Sequence, residues 1–166
     1  MRYSDITTCD ICNGVGLGVV LWCSGCSLQC PNCHNQELQD SCKGKLFDRH
    51  AYQKICDELS KPYIIRLTLS GGHPLEPYNI DACTKLCCEV KNLFPHINIW
   101  LYTGFKWEDI KNEKIFNYVD VVVDGPYIDE SRDITLPFRG SSNQRIIDVQ
   151  KSLREKEVCI YDLNNK

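Results

Sequence analysis

Runs of apolar residues alternate along the chain with segments in which apolar residues recur at helical spacing. Four of the runs are rich in β-branched residues and predict buried strands: LGVVLW (17–22), YIIRLTLSGG (63–72), INIWLYTG (97–104) and YVDVVVDG (118–125). The segments that begin at Asp48 and Asn79 predict two amphipathic helices, because each has an N-cap residue followed by apolar residues three and four positions apart. A shorter helix is predicted at residues 107–111, and further short elements at RIIDVQ (145–150) and VCIYD (158–162).

This alternation of strand and helix is the pattern of parallel βαβ units and predicts an α/β fold. The run at residues 121–123 has no polar position, which suits a strand covered on both faces. In such folds the functional groups gather beyond the carboxyl ends of the strands. The segments that follow the four predicted strands are a cysteine-rich stretch (23–35), SGGHP (70–74), TG (103–104) and DGPY (124–127). We therefore expect all four segments to open onto the same end of one sheet.

Length and charge narrow the class of protein. The 166 residues suit one domain, spanning 1–166, which is long enough to bury a core without a disulfide or a zinc staple. The formal net charge of −3 argues against non-specific nucleic-acid binding, which needs a basic face. No stretch approaches the ~18 apolar residues of a membrane span, and the first residues lack the pattern of a secretory signal. We therefore expect a cytoplasmic protein with neither a nucleic acid nor a membrane as its partner.

Twelve cysteines are many for a protein whose thiols are expected to be reduced. Three of them, Cys26, Cys30 and Cys33, lie close together in the segment GCSLQCPNCHN (25–35). In a reducing compartment, clustered cysteines bind metals or take part in catalysis more often than they form disulfides. Thiolates are ligands for zinc and for iron–sulfur clusters, so this segment predicts a metal centre.

The spacing of the cysteines fits four kinds of metal site. A structural zinc site would use two C-x2-C pairs, formed by Cys9, Cys12, Cys30 and Cys33. The sequence CPNCH (30–34) matches a c-type haem attachment site, and residues 23–31 match the end of a ferredoxin-type cysteine run. The fourth site uses only Cys26, Cys30 and Cys33, which would bind three irons of a four-iron cluster. The remaining iron would then lack a protein ligand and would be open to a substrate or cofactor, as catalytic metal sites are.

The C-x3-C-x2-C spacing after a first strand resembles the signature of the radical S-adenosylmethionine (SAM) superfamily. Within that superfamily, five blocks between about residue 5 and residue 150 resemble the activating enzymes of anaerobic ribonucleoside-triphosphate reductase: NGVGLGVVLWCSGCSLQCPNCHN, LTLSGGHPLEPYN, IWLYTGF, VDVVVDGPY and RGSSNQR. The resemblance implies a partial, open β/α barrel with a mostly parallel sheet, a core at about residues 14–150 and a cluster loop at residues 23–35.

The resemblance also implies the cofactors and the reaction. Cys26, Cys30 and Cys33 would bind a [4Fe-4S] cluster, and SAM would bind the open iron and be cleaved reductively to methionine and a 5′-deoxyadenosyl radical. The radical would take a hydrogen atom from a glycine in the large subunit of the reductase, with a flavodoxin-type protein as the electron donor. The same chemistry on a small molecule and a zinc-stabilised binding module stay open as alternatives.

Six residues are implied as contacts of SAM: Ser70, Gly71, Gly72, His73, Thr103 and Asp124. The first four match the turn that holds the SAM amino group in the superfamily, and the last two end the next two predicted strands. Two positions depart from the family pattern, since His73 stands where an acidic residue is common and Gly18 replaces an arginine. The block RGSSNQR (139–145) is a candidate for substrate docking.

Overall fold

The computed structural model describes residues 1–164, which form one mixed sheet with helices packed on it. The strands are β1 (Arg2–Asp10), β2 (Gly18–Cys23), β3 (Lys45–Leu46), β4 (Arg66–Gly71), β5 (Asn98–Tyr102), β6 (Val121–Asp124) and β7 (Arg145–Asp148). The α-helices are α1 (Arg49–Leu59), α2 (Ile80–Leu93), α3 (Trp107–Ile110) and α4 (Val149–Glu155). Short 3-10 helices occur at Gln36–Leu38, Lys114–Asn117 and Asp129–Ser131. In the described range, no helix combines the length and the hydropathy that crossing a membrane requires.

The order of the strands in the sheet is β3-β1-β2-β4-β5-β6-β7. The four central strands β2, β4, β5 and β6 pair in parallel, whereas β1, β3 and β7 pair antiparallel with their neighbours. The expected α/β fold is therefore confirmed, but the expectation of a mostly parallel sheet holds only for the centre. Within residues 1–164 the sheet is open, with β3 and β7 at its edges, and it does not close into a barrel. The parallel centre brings the segments after β2, β4, β5 and β6 to one end of the sheet, as the strand pattern predicts.

The two longer helices begin where the sequence predicts, but only α1 has the expected cap. There the carboxylate of Asp48 accepts a hydrogen bond from the Ala51 N–H at 2.9 Å, which satisfies one of the free amides of the first turn. At α2, Asn79 occupies the N-cap position, but its side-chain amide donates to the carbonyls of Ser24 and His73, each at 3.0 Å. Asn79 therefore connects the segment after β2 to the segment after β4.

The sequence pattern did not predict β1, which pairs antiparallel with β2. Two shifts of register interrupt this pairing, and only Ile6 of the strand is buried, so its apolar residues do not alternate with period two. The segment RIIDVQ contains the predicted strand β7 and also the first residues of α4. The segment VCIYD forms only one isolated bridge, between Ile160 and Ile147. Because β1 was not predicted, the first strand that the sequence predicts, at residues 17–22, corresponds to β2 of the fold.

The amino end of the parallel strands contains a buried arginine that explains one departure from the family pattern. Arg66, at the start of β4, is paired with Gly18 and has no exposed surface. Its guanidinium donates to the Asp10 carboxylate at 2.8 Å and to the Asn13 carbonyl at 2.6 Å, and it also contacts Thr68. A Cβ atom on residue 18 would lie 2.8 Å from Arg66 Cζ, so an arginine at position 18 has no room beside Arg66.

Candidate metal and cofactor site

The cysteine loop (residues 24–35) follows β2 at the carboxyl end of the parallel strands. The three predicted ligands are free, partly exposed thiols: Cys26, Cys30 and Cys33. Gln29 and Asn32, which directly precede the second and third of these cysteines, have left-handed backbone conformations with φ of 46° and 54°. The Cys33 N–H donates to the Cys30 carbonyl at 3.2 Å. The loop therefore turns back on itself immediately before each of these two thiols.

The three thiols interact electrostatically. Burial raises the pKa of the Cys26 thiol, a hydrogen bond from the Leu28 N–H lowers it, and the charges of Glu76, Cys30 and Cys33 raise it further. Three thiolates in this loop therefore need a cation to balance their charge. Thiolates are the preferred ligands of iron–sulfur clusters, so the donor set in the loop fits such a cluster.

The positions of the cysteines in the fold disfavour two of the competing metal sites, the structural zinc site and the ferredoxin-type run. Cys9 and Cys12 lie at the amino end of β2, whereas the other two cysteines of the zinc alternative follow its carboxyl end, roughly 20 Å away for a strand of this length. Cys23, which the ferredoxin-type run needs, is buried with its sulfur 3.9 Å from that of Cys83. The structure thus favours the set of three cysteines over both arrangements.

The glycine turn begins with the last two residues of β4 and consists of Ser70, Gly71, Gly72 and His73. It lies directly beside the cysteine loop: the Gly72 N–H donates to the carbonyl of Cys23, the last residue of β2, at 2.7 Å, and the Asn35 side-chain amide donates to the Gly71 carbonyl at 3.3 Å. A Cβ atom at Gly72 would lie 2.5 Å from the carbonyl oxygen of Gly25. Gly71 has a φ of 102°, a conformation that other residues rarely adopt. Both glycines are therefore required for the turn to contact the loop.

A polar network connects the glycine turn with two neighbouring loops. The buried ring of His73 places Nδ1 3.2 Å from a carboxylate oxygen of Glu76 and Nε2 2.7 Å from the Thr103 hydroxyl. The same oxygen of Glu76 accepts hydrogen bonds from the backbone N–H and the hydroxyl of Ser27, at 2.8 and 2.7 Å. Burial lowers the pKa of His73, against the nearby carboxylate of Glu76, which raises it. The structure thus brings the predicted residues His73 and Thr103 together with the cysteine loop.

Asp124 ends β6 at the same end of the sheet, and both of its carboxylate oxygens already have partners. Arg145 forms an ion pair with this carboxylate, and the Trp107 N–H donates to it at 2.8 Å. Arg145 also pairs with Glu108, at 2.9 Å. A contact between Asp124 and SAM stays a prediction, and it would require the carboxylate to share or exchange these partners.

A cavity of about 630 Å³ opens between the cysteine loop and the segment that follows β6. Cys33 lies in one wall, and Arg132 and Arg139 lie in the other. The side-chain amide of Asn32 crosses between the walls and donates to the Asp129 carboxylate at 2.8 Å. One of the predicted ligand thiols therefore faces a space that also contains two cationic side chains.

Sequence reasoning missed Glu76, which is only 4% exposed. The available signal was a carboxylate three residues after His73, in the segment HPLEP. Most carboxylates in such irregular segments face solvent, so the pattern alone did not indicate that this one points inward to Ser27.

Comparisons with known proteins show the family to which the chain belongs. The family model described as a 4Fe-4S single cluster domain matches residues 12–147. The protein from Enterobacteria phage T4 named anaerobic ribonucleoside-triphosphate reductase-activating protein is 42% identical over 146 residues, covering 88% of this chain and 93% of its own. The chain belongs to this family of activating proteins. Members with the same name from Haemophilus influenzae and Escherichia coli K12 are 37% identical over 150 residues and 33% identical over 148, covering 97% and 96% of their own lengths.

Membership of the activating-protein family confirms the resemblance that the five sequence blocks predict. The range that the cluster-domain model matches includes the three cysteines of the loop, the glycine turn, Thr103 and Asp124. The family assignment therefore covers the whole candidate site and the parallel strands that support it.

Proposed function

We propose that the protein activates an anaerobic ribonucleoside-triphosphate reductase by reductive cleavage of SAM at a [4Fe-4S] cluster. The observation that carries this proposal is the contact between the cysteine loop and the glycine turn: the Asn35 side-chain amide donates to the Gly71 carbonyl at 3.3 Å, and a Cβ atom at Gly72 would lie 2.5 Å from the Gly25 carbonyl oxygen. This contact puts three thiols beside a stretch of backbone without side chains, which suits a cluster that shares one iron with a second ligand. The name of the relatives supports the activation of such a reductase, and the cluster-domain family supports the four-iron cluster.

Each part of the site has a separate task in this proposal. Cys26, Cys30 and Cys33 bind the cluster, and the cysteine loop contains no further thiol. The glycine turn offers its backbone amides and carbonyls to the amino-acid part of SAM, because glycines let a ligand approach the main chain closely. The buried residues Ser70 and Thr103, near the ends of β4 and β5, exclude water from this side of the site. When bound, the cluster and SAM supply the electron transfer that yields methionine and a 5′-deoxyadenosyl radical.

The proposed partner is the large subunit of the reductase, where a glycine gives up a hydrogen atom. The cavity beside Cys33 is the proposed entrance for the loop that carries this glycine, and Arg132 and Arg139 in its wall suit the carbonyl oxygens of an incoming backbone. A flavodoxin-type protein is the proposed electron donor. All of these tasks fall within one proposed domain, 1–166.

Electron paramagnetic resonance tests the proposal. Cluster-loaded protein with SAM and a reductant should generate an organic radical on an anaerobic reductase and release 5′-deoxyadenosine. A reductase whose radical-bearing glycine is replaced by alanine should give no such signal. Release of 5′-deoxyadenosine without any radical on the reductase would point to a small-molecule substrate, and absence of both would contradict the proposal.

A further inference from the structure

Four polar side chains form one continuous hydrogen-bonded series, the Glu76 network: Ser27, Glu76, His73 and Thr103. Glu76 lies at its centre, 2.7 and 2.8 Å from the two donors of Ser27 and 3.2 Å from His73 Nδ1. His73 continues the series through Nε2, which lies 2.7 Å from the Thr103 hydroxyl. Because Ser27 follows β2, Thr103 follows β5 and the other two follow β4, the network spans three neighbouring strand ends.

The network is buried at its centre and open at one end. Glu76, His73 and Thr103 are 4%, 1% and 5% exposed, whereas Ser27 is exposed. Burial would raise the pKa of Glu76, but hydrogen bonds from Ser27 and His73 outweigh it and hold the pKa below its usual value. An ionised Glu76 accepts a hydrogen bond from the N–H at His73 Nδ1, which leaves Nε2 to accept a hydrogen bond from the Thr103 hydroxyl. Each member of the network therefore has a partner of the correct type.

The Glu76 network links the first ligand-bearing part of the cysteine loop directly to the segment after β4, and a second bond, from the Asn35 side-chain amide to the Gly71 carbonyl at 3.3 Å, links the end of the loop to the glycine turn. The N–H of Cys26 donates to the Gln39 carbonyl, and the N–H of Gly25 donates to Leu38, so these bonds fix the loop to the segment that follows it. Between Cys26 and Cys30, the hydrogen bonds of the described residues that reach the segment after β4 both end on Glu76. Glu76 therefore provides the hydrogen bonds that hold the stretch from Cys26 to Cys30 against the segment after β4.

We propose that Glu76 and His73 are positioning residues that hold the cysteine loop at a fixed distance from the glycine turn, so that the cluster and the amino-acid part of SAM are bound together. This inference rests on the proposed function. It gives His73 a role, since the carboxylate that is absent at position 73 is present in the same network at position 76. Loss of the Glu76 charge should weaken the binding of SAM more than it slows the reaction of bound SAM.

Hydrogen exchange in the metal-free protein tests the anchoring. Glu76→Gln keeps the shape of the side chain but removes its charge, so the Ser27 amide and its neighbours in residues 25–30 should exchange about tenfold faster, since a hydrogen bond to a charged group is stronger than one to a neutral group. Glu58→Gln is the matched control, because Glu58 makes the same kind of short contact, with Lys61, on the far surface of α1. Ser27→Ala changes only an exposed residue and tests the same link if the Glu76 variant folds poorly.

Steady-state kinetics of the cluster-loaded enzyme test the positioning role. The Glu76→Gln variant should show a KM for SAM raised about tenfold with kcat changed far less, whereas the Glu58 control should show neither change. Unchanged exchange at residues 25–30 would overturn the anchoring. Faster exchange with an unchanged KM for SAM would leave Glu76 a structural role only and would overturn the positioning role. If the wild-type protein releases no 5′-deoxyadenosine, the proposed function fails, and the exchange experiment by itself still decides the anchoring.

Discussion

The two ends of the parallel strands each contain a buried charged side chain, but the surroundings of these charges differ. At the amino end, Arg66 is enclosed by the carboxylate of Asp10 and by backbone carbonyls of the loop before β2. At the carboxyl end, Glu76 is bound by Ser27, which belongs to a loop with partly exposed thiols. Arg66 therefore connects β1, β4 and the loop before β2 to one another, whereas Glu76 connects the segment after β4 to the cysteine loop.

From this difference we expect the Arg66 network to stabilise the fold and the Glu76 network to shape the candidate site. Breaking the ion pair of Arg66 leaves an uncompensated buried charge, so its main effect should be on the free energy of unfolding. The cysteine loop reaches solvent, and changes there should alter metal and SAM binding with little effect on stability. Substitutions at the amino end should therefore lower stability and leave the chemistry intact, whereas substitutions in the cysteine loop should abolish the chemistry and leave stability nearly unchanged.

The largest expected effect is on the chemistry of the carboxyl end. Cys30→Ala should abolish cluster binding and SAM cleavage, because two thiolates remain, while the free energy of unfolding of the metal-free protein should change by about 0.5 kcal/mol or less. Iron and sulfide content after anaerobic reconstitution and urea unfolding measure these two effects. Cys42→Ala, at an exposed cysteine outside the loop, is the control and should retain the cluster. A stable cluster in the Cys30 variant would remove Cys30 from the ligand set.

The second effect is the reverse combination at the amino end. Arg66→Met should lower the free energy of unfolding by about 3 kcal/mol, because the half-buried Asp10 carboxylate and the Asn13 carbonyl both lose the charged donor that they share. The yield of 5′-deoxyadenosine per folded, cluster-loaded molecule should stay at the wild-type level. Lys85→Met, at an exposed lysine 3.9 Å from Glu89, is the control and should change stability by about 0.5 kcal/mol or less. If the folded Arg66 variant no longer cleaved SAM, the amino end would also be needed for the chemistry, and the proposed difference between the two ends of the strands would be wrong.

A smaller effect at the amino end tests why glycine occupies position 18. In Gly18→Ala, the added Cβ would lie 2.8 Å from Arg66 Cζ and 2.9 Å from the Arg66 carbonyl oxygen. Displacing these groups should cost about 1–3 kcal/mol, as overpacking does in other cores. Urea unfolding measures this cost, and an unchanged midpoint would show that Arg66 can move aside freely.

The smallest effect is a dependence of stability on pH that originates at the carboxyl end. Burial lowers the pKa of His73 in the folded protein, so the unfolded chain binds this proton more readily. The stability that results is fully present above the usual histidine pKa of about 6.5 and is lost as the pH falls from there through the lower folded value. His73→Gln should flatten this slope below about pH 6.5 in urea unfolding, whereas His96→Gln, at an exposed residue, should not. An equal slope in both variants would contradict the assignment.

Asp10 at the amino end should respond only at lower pH. Burial would raise the pKa of this carboxyl, but hydrogen bonds from Arg66 and Asn13 outweigh it and hold the pKa below its usual value. Its contribution to stability is therefore present above the usual carboxyl pKa and is lost below that pH.

The centre of the sheet could be predicted from the sequence because its strands are continuous apolar runs. Val121, Val122 and Val123 are buried on both faces, so no alternation was needed to recognise β6. β1 could not be predicted in this way, because its register shifts break the period of two and only Ile6 is buried. A strand whose pairing is irregular leaves no periodic pattern in its own residues.

The ligand loop could also be predicted, because the spacing of its cysteines is a local property. The two buried networks could not, since each depends on which residues the sheet brings together. Arg66 meets Asp10 across 56 positions, and Glu76 meets Ser27 across 49. His73 and Gly18 could be recognised from the sequence as departures from the family pattern. Their neighbours, Glu76 beside His73 and Arg66 beside Gly18, could be identified only from the fold.

The central claim is that three thiolates leave one iron open for SAM. Anaerobically reconstituted protein with SAM and a strong reductant tests it, with methionine and 5′-deoxyadenosine measured together. We predict an iron–sulfur protein that releases the two products in equal amounts and depends on all three of Cys26, Cys30 and Cys33. A protein that binds zinc instead under these conditions, or that binds the cluster but releases no adenosyl fragment, would contradict the account.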